Sequence, residues 1–70
     1  MKLTYKPLFK MMIDRELKNS DVIEMSGISK STFYKLKNDE NVNTEILLKV
    51  CEALECDISE IVECEENKKH

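Results

Sequence analysis

Residues 17–37 read LKNSDVIEMSGISKSTFYKLK, and the fold turns on the four residues at their centre, Ser26-Gly27-Ile28-Ser29. Gly27 is the chain's one glycine. It follows a short helical stretch, Ser20 to Ser26, as a C-terminal residue with positive φ, which other residues adopt only at a cost. Asn19 or Ser20 is the N-cap expected at the opposite end of that stretch. Ile28 is directed inward, and Ser29, an acceptor N-cap, starts a new helix at once that runs to about Lys37. Two short helices joined by so sharp a corner make a helix-turn-helix. Val22 and Ile23 on the first helix, and Ile28, Phe33 and Leu36 on the second, need apolar partners that the pair alone does not provide.

Those partners lie on either side. Upstream, Tyr5, Leu8, Phe9, Met12, Ile13 and Leu17 recur at three- and four-residue spacing and make one apolar stripe. Pro7 sits in the opening turn, where its missing N–H costs nothing. Residues 1–5 ahead of it suit either a frayed end or a small edge strand. Downstream, residues 38–43 read as a polar loop, and Asn43 or Thr44 caps a fourth helix carrying Leu47, Val50, Cys51 and Leu54. A short fifth helix opens at Asp57-Ile58-Ser59-Glu60, a pattern close to a capping box, with Ile58, Ile61 and Val62 inward. The expected fold is all-α, five helices in one domain over residues 1–63, with a charged, disordered tail over 64–70.

Seventy residues hold a single core and little else, since a chain this short buries only about 60% of its unfolded surface. A deep catalytic pocket is not expected, and a phosphate-binding glycine loop is missing. The lone histidine, His70, is the last residue, a poor place for general-base catalysis. Cys51, Cys56 and Cys64 have no CxxC spacing and read as reduced thiols, so no metal or cofactor is expected. No apolar run reaches membrane-spanning length and there is no secretion signal; the expectation is a soluble, cytoplasmic protein.

The net charge of −3 hides a polarity. Residues 1–37 carry seven Lys and one Arg against four acids, a balance of +4; residues 38–70 carry three Lys against ten acids, a balance of −7. A basic front and an acidic back suit a polyanionic partner better than the total suggests. The helix from Ser29 to Lys37 sharpens this. With Ile28, Phe33 and Leu36 inward, it turns Lys30, Ser31, Thr32, Tyr34, Lys35 and Lys37 outward, without one acid. Lysine neutralises phosphate or donates to guanine, and short hydroxyls reach base edges. The start of such a helix is what enters a major groove, which points to Lys30, Ser31, Thr32 and Tyr34 for base contact. Lys35, Lys37 and Asn38 are better placed for the DNA backbone.

The run SGISKSTFYKLKN (26–38), followed by NVNTEILLKVCEALECDISEIV (41–62), closely resembles the Cro and lambda-repressor type of helix-turn-helix domain, the XRE family, in its short single-domain form from bacteria and their mobile elements. The resemblance covers about residues 6–63. It implies five packed helices, binding to double-stranded DNA and, usually, transcriptional repression. Recognition positions of the family fall on Ser29 to Lys35, and its phosphate-contacting helix start falls on Asn19 and Ser20. This chain departs from the pattern in having Asn19 where many members have Gln, Ile23 where they have Ala, and Asp39 where they have Gly. Asp39 and Glu40 beside the basic face are expected to weaken DNA affinity. Operators of such proteins pair two half-sites, so a homodimer or paired binding on DNA is expected, with no membrane or small-molecule ligand. Two other readings stay open: a protein-interaction module on the same fold, antitoxin-like or a co-regulator, and a thiol- or metal-linked sensor using the three cysteines.

Overall fold

A computed structural model describes residues 2–66. In chain order the elements are β1 (Lys2–Thr4), α1 (Lys6–Asp14), α2 (Asn19–Ser26), α3 (Lys30–Lys37), α4 (Thr44–Leu54), a single 3-10 turn (Ile58–Glu60) and β2 (Glu63–Glu65). The class is all-α. The fifth helix expected from the sequence is that one 3-10 turn. Glu60 does reach back, as its capping pattern suggests, to accept the Asp57 backbone N–H at 2.8 Å. Ile58, however, is partly exposed, and only Ile61 is fully buried there. With Ile61 buried, Val62 half-buried beside it and Ile58 exposed, the segment has no stripe that would carry a helix further.

The first and last described strands meet. β1 and β2 pair antiparallel, with Lys2 opposite Glu65, Leu3 opposite Cys64 and Thr4 opposite Glu63. The edge-strand alternative for the N-terminus is therefore the one adopted. Disorder from residue 64 is not: Cys64 and Glu65 are strand, because an open edge of β1 offers their backbone groups partners. The rest of the expected tail, 67–70, lies outside the described residues. Lys6 Nζ sits 2.8 Å from Glu65 Oε2 across this junction. The hydrogen bond between them holds the Glu65 carboxyl below its ordinary range and raises the Lys6 ammonium above its own. Lowered in the fold, Glu65 supports the pairing above the usual carboxylate range and loses that support as pH falls through its folded value. Lys6 supports it below the usual lysine range and loses it as pH rises. Protection of the residue 2–4 amides, with exchange referred to that of an unfolded chain at the same pH, should therefore fall in acid and in strong alkali, and with salt, since the pair is exposed. Protection there that stays constant from acid to neutral pH would remove the pair from any role in the seam.

The core consists of Tyr5, Leu8 and Met12 from the α1 end, Val22 from α2, Ile28, Phe33 and Leu36 around α3, Leu47, Val50, Cys51 and Leu54 from α4, and Ile61. α4 packs chiefly against α2. Phe9 meets Phe33 edge to face, with centroids 5.9 Å apart and planes at 80°. The α1 stripe stops short of Ile13, which is 76% exposed. The helix ends one residue later, at Asp14. Leu17 N–H then bonds Met12 C=O at 2.8 Å, bringing Leu17 back to the core in place of Ile13.

Three helices close in the same way. Glu16, Asp39 and Glu55 follow α1, α3 and α4 in the left-handed conformation, at φ of 56°, 55° and 53°. In each, the next N–H bonds a carbonyl five residues back: Leu17 to Met12, Glu40 to Lys35 and Cys56 to Cys51. This is the Schellman closure, usually built on glycine. Gly27 takes that place after α2, at φ 76°.

Candidate nucleic-acid interface

The site grows from the corner at Gly27. Its N–H bonds Ile23 C=O at 2.9 Å, and its positive φ turns the chain so that Ile28 enters the core and Ser29 begins α3. Ser29 is the N-cap, its hydroxyl accepting the Thr32 backbone N–H at 3.2 Å. The same Oγ lies 2.8 Å from Thr32 Oγ1, to which it donates, and 3.2 Å from Ser31 Oγ. The opening turn thus carries three hydroxyls in mutual contact. Ser29's hydroxyl is committed within the chain, whereas Ser31 is exposed beside it.

Phe33 and Leu36, both fully buried, fix the rotation of α3. Helical spacing then lays out the remaining face as two stripes, Lys30, Tyr34 and Lys37 along one, Ser31, Lys35 and Asn38 along the other. All six are exposed, and Thr32 at the margin is half-buried. Tyr34 is 46% exposed and rests its ring edge-on against Phe33, centroids 6.2 Å apart. Its position follows from core packing, so the ring faces solvent from a fixed base. Lys35 and Lys37 lie in the last turn of α3, where positive charge complements the helix dipole.

α2 begins one residue earlier than its sequence suggests. Neither Asn19 nor Ser20 is the N-cap. That place is taken by Lys18, whose backbone N–H donates to the Asp21 carboxylate at 2.9 Å. Asp21 makes this possible by reaching back from the third helical position, and a carboxylate there suits the helix dipole. Asn19 and Ser20 occupy the first two helical positions, with Ser20 exposed and Asn19 half-buried. Ile23 is half-buried and packs against the core.

Asp39 is more than a charge beside the basic face. Its carboxylate is turned away from solvent. Asp39 Oδ1 accepts the Tyr5 backbone N–H at 3.0 Å and the Thr4 hydroxyl at 3.1 Å, linking the end of α3 to the start of α1. Tyr5 adds a second link, its hydroxyl donating to Glu40 C=O at 3.2 Å, and burial pushes its phenol pKa up. No neighbouring side chain caps α1, and the distant carboxylate takes that place.

Cys51 is buried and Cys56 half-buried, and burial raises both thiols. Raised thiols disfavour the thiolate that metals and oxidants need. Among the described residues no group of three or more His, Cys, Asp or Glu is arranged to hold a metal ion. No described helix is long and apolar enough to cross a membrane.

A compact helical domain that presents an acid-free, lysine- and hydroxyl-bearing helix beyond a glycine corner is a helix-turn-helix domain. A family model for the Cro/C1-type HTH DNA-binding domain matches residues 8–67, and the chain belongs to that family. It is 45% identical to the transcriptional regulator VanUg, whose crystal structure it matches with a TM-score of 0.83 over 89% of this chain and 83% of that one. Comparison with curated proteins finds no match.

Proposed function

We propose that this protein is a sequence-specific transcriptional regulator, acting as a repressor by occupying a promoter on double-stranded DNA. The observation that carries the reading is the outward face of α3: three lysines and exposed hydroxyls, no acid, on a rotation fixed by Phe33 and Leu36. In this reading Lys30, Ser31, Thr32 and Tyr34 contact bases in the major groove. Lys35, Lys37 and Asn38 from α3, with Asn19 and Ser20 at the start of α2 and the main-chain N–H of Ser29 at the start of α3, hold the DNA backbone. Two copies bind half-sites about 34 Å apart, as a dimer or paired on the duplex. The 45% identity to a transcriptional regulator supports the regulatory role.

The test is selection of duplexes from a random pool, followed by titration of the winners. Lys30→Ala is expected to cost about 1–3 kcal/mol and to relax the preference at one base position. A wild-type protein that enriches no sequence, with affinity indifferent to salt, would refute the assignment.

A further inference from the structure

We infer that Asp39 is the positioning residue of the DNA-reading helix, a role that rests on the reading of α3 as that helix. Three observations meet at this side chain. First, Asp39 sits in the left-handed conformation immediately beyond α3, closing it: its N–H bonds Leu36 C=O at 3.1 Å, and the following Glu40 N–H bonds Lys35 C=O at 2.9 Å. The backbone of Asp39 is therefore fixed to the last turn of α3, the turn that carries Lys35 and Lys37. Second, its carboxylate holds the opposite partner, taking the Tyr5 N–H and the Thr4 hydroxyl on one oxygen. Thr4 Oγ1 also accepts, at 3.4 Å, from Lys6 N–H in the first turn of α1. Third, Thr4 is wholly buried and Tyr5 is 1% exposed, so these hydrogen bonds are made out of contact with solvent. One carboxylate thus caps α1 from a distance and ties its first turn to the end of α3.

The consequence concerns geometry more than charge. Ile28 fixes the start of α3, and Phe33 and Leu36 set its rotation, but residues 37–41 add no buried side chain to hold its C-terminal end. The hydrogen bonds from Asp39 are directional, and they act at the far end of the helix, where a small rotation displaces the lysines most. Binding of a rigid duplex is weakened in proportion to the fraction of molecules whose reading helix is correctly set. Asp39 keeps that fraction high.

Electrostatics alone makes the opposite forecast. Treated only as a negative charge near DNA, Asp39 is a defect, and any neutral replacement improves affinity. The two accounts separate on a pair of variants. Asp39→Asn tolerates the left-handed conformation and keeps an acceptor oxygen while losing the charge. Asp39→Gly is easier still for the backbone but has no acceptor.

The experiment measures the affinity of wild type, Asp39→Asn and Asp39→Gly for the tightest duplex that wild type selects from a random pool. Helical circular dichroism and amide shifts of residues 30–40 are recorded for each. The expected result is affinity for Asp39→Asn equal to or above wild type, and for Asp39→Gly a drop of about tenfold with the fold intact and amide shifts concentrated at residues 35–40. Thr4→Val, which removes one of the two donors, should fall between. If both Asp39 variants bind as tightly as wild type or tighter, Asp39 acts only as a charge and the inference is overturned. Unchanged residue 35–40 shifts in Asp39→Gly overturn it without reference to DNA. Failure of wild type to select or bind any duplex would instead sink the DNA-binding assignment, leaving the shifts to judge the clamp.

Discussion

Phe33→Ala is expected to cost about 3–5 kcal/mol of folding stability, the range for emptying a buried aromatic site. The residue is fully buried, meets Phe9 edge to face at 5.9 Å and carries Tyr34 against its other side. Neither aromatic contact has a replacement once the ring is gone. A domain of this size has a total stability of about 4–10 kcal/mol, so the loss takes most of it. The rest of the core cannot easily collapse into the gap, because α3 is held at both ends, by Gly27's corner and by the Asp39 clamp. Urea denaturation followed by circular dichroism is the measurement. A midpoint shift corresponding to less than about 1 kcal/mol would mean that α3 is not held by its core face, and the site geometry would need another origin.

The second large effect belongs to the surface. Changing Lys35 and Lys37 together to Gln leaves the core untouched, since both are exposed. If each neutralises one phosphate, their loss lowers the slope of log affinity against log salt by about 2, and weakens binding roughly 60-fold at about 0.1 M salt. The loss should be uniform across sequences, unlike that of Lys30→Ala. Titrations at two salt concentrations, on a selected and on an unrelated duplex, separate the cases. A slope unchanged by the double substitution would show that the end of α3 does not approach the backbone, and the helix would have to enter the groove at a different angle.

The helix-turn-helix was legible because its signals are local. A glycine between two short apolar-periodic stretches, and a serine directly after it, specify a corner through backbone conformation and capping alone. The buried set Val22, Ile28, Phe33, Leu36, Leu47, Val50, Cys51 and Leu54 followed from periodicity for the same reason. What escaped was either too short or too distant. A three-residue strand, Glu-Cys-Glu, has no periodicity to read, and its pairing with residues 2–4 depends on distant segments meeting. Ile13 fits the stripe by spacing, but Leu17, returned to the core by a backbone closure, fills the place. The N-cap at Lys18 was hidden because the bond is made by its backbone, to a carboxylate three residues on. Asp39 was the largest omission in the candidate site: its partners are 34 and 35 residues away, and nothing around it in sequence points to them.

The pairing of Lys2 with Glu65 closes residues 2–65 nearly into a ring. Joining segments so far apart carries an entropic penalty that grows with the length enclosed, and three residues a side return little for it. The helices must therefore be in place before the ring can close, which puts the terminal ribbon last in assembly and first in fraying. Thr4 stands at the inner end of that ribbon and is also a ligand of Asp39. Whatever loosens those two strands is thus felt one side chain away from the basic helix.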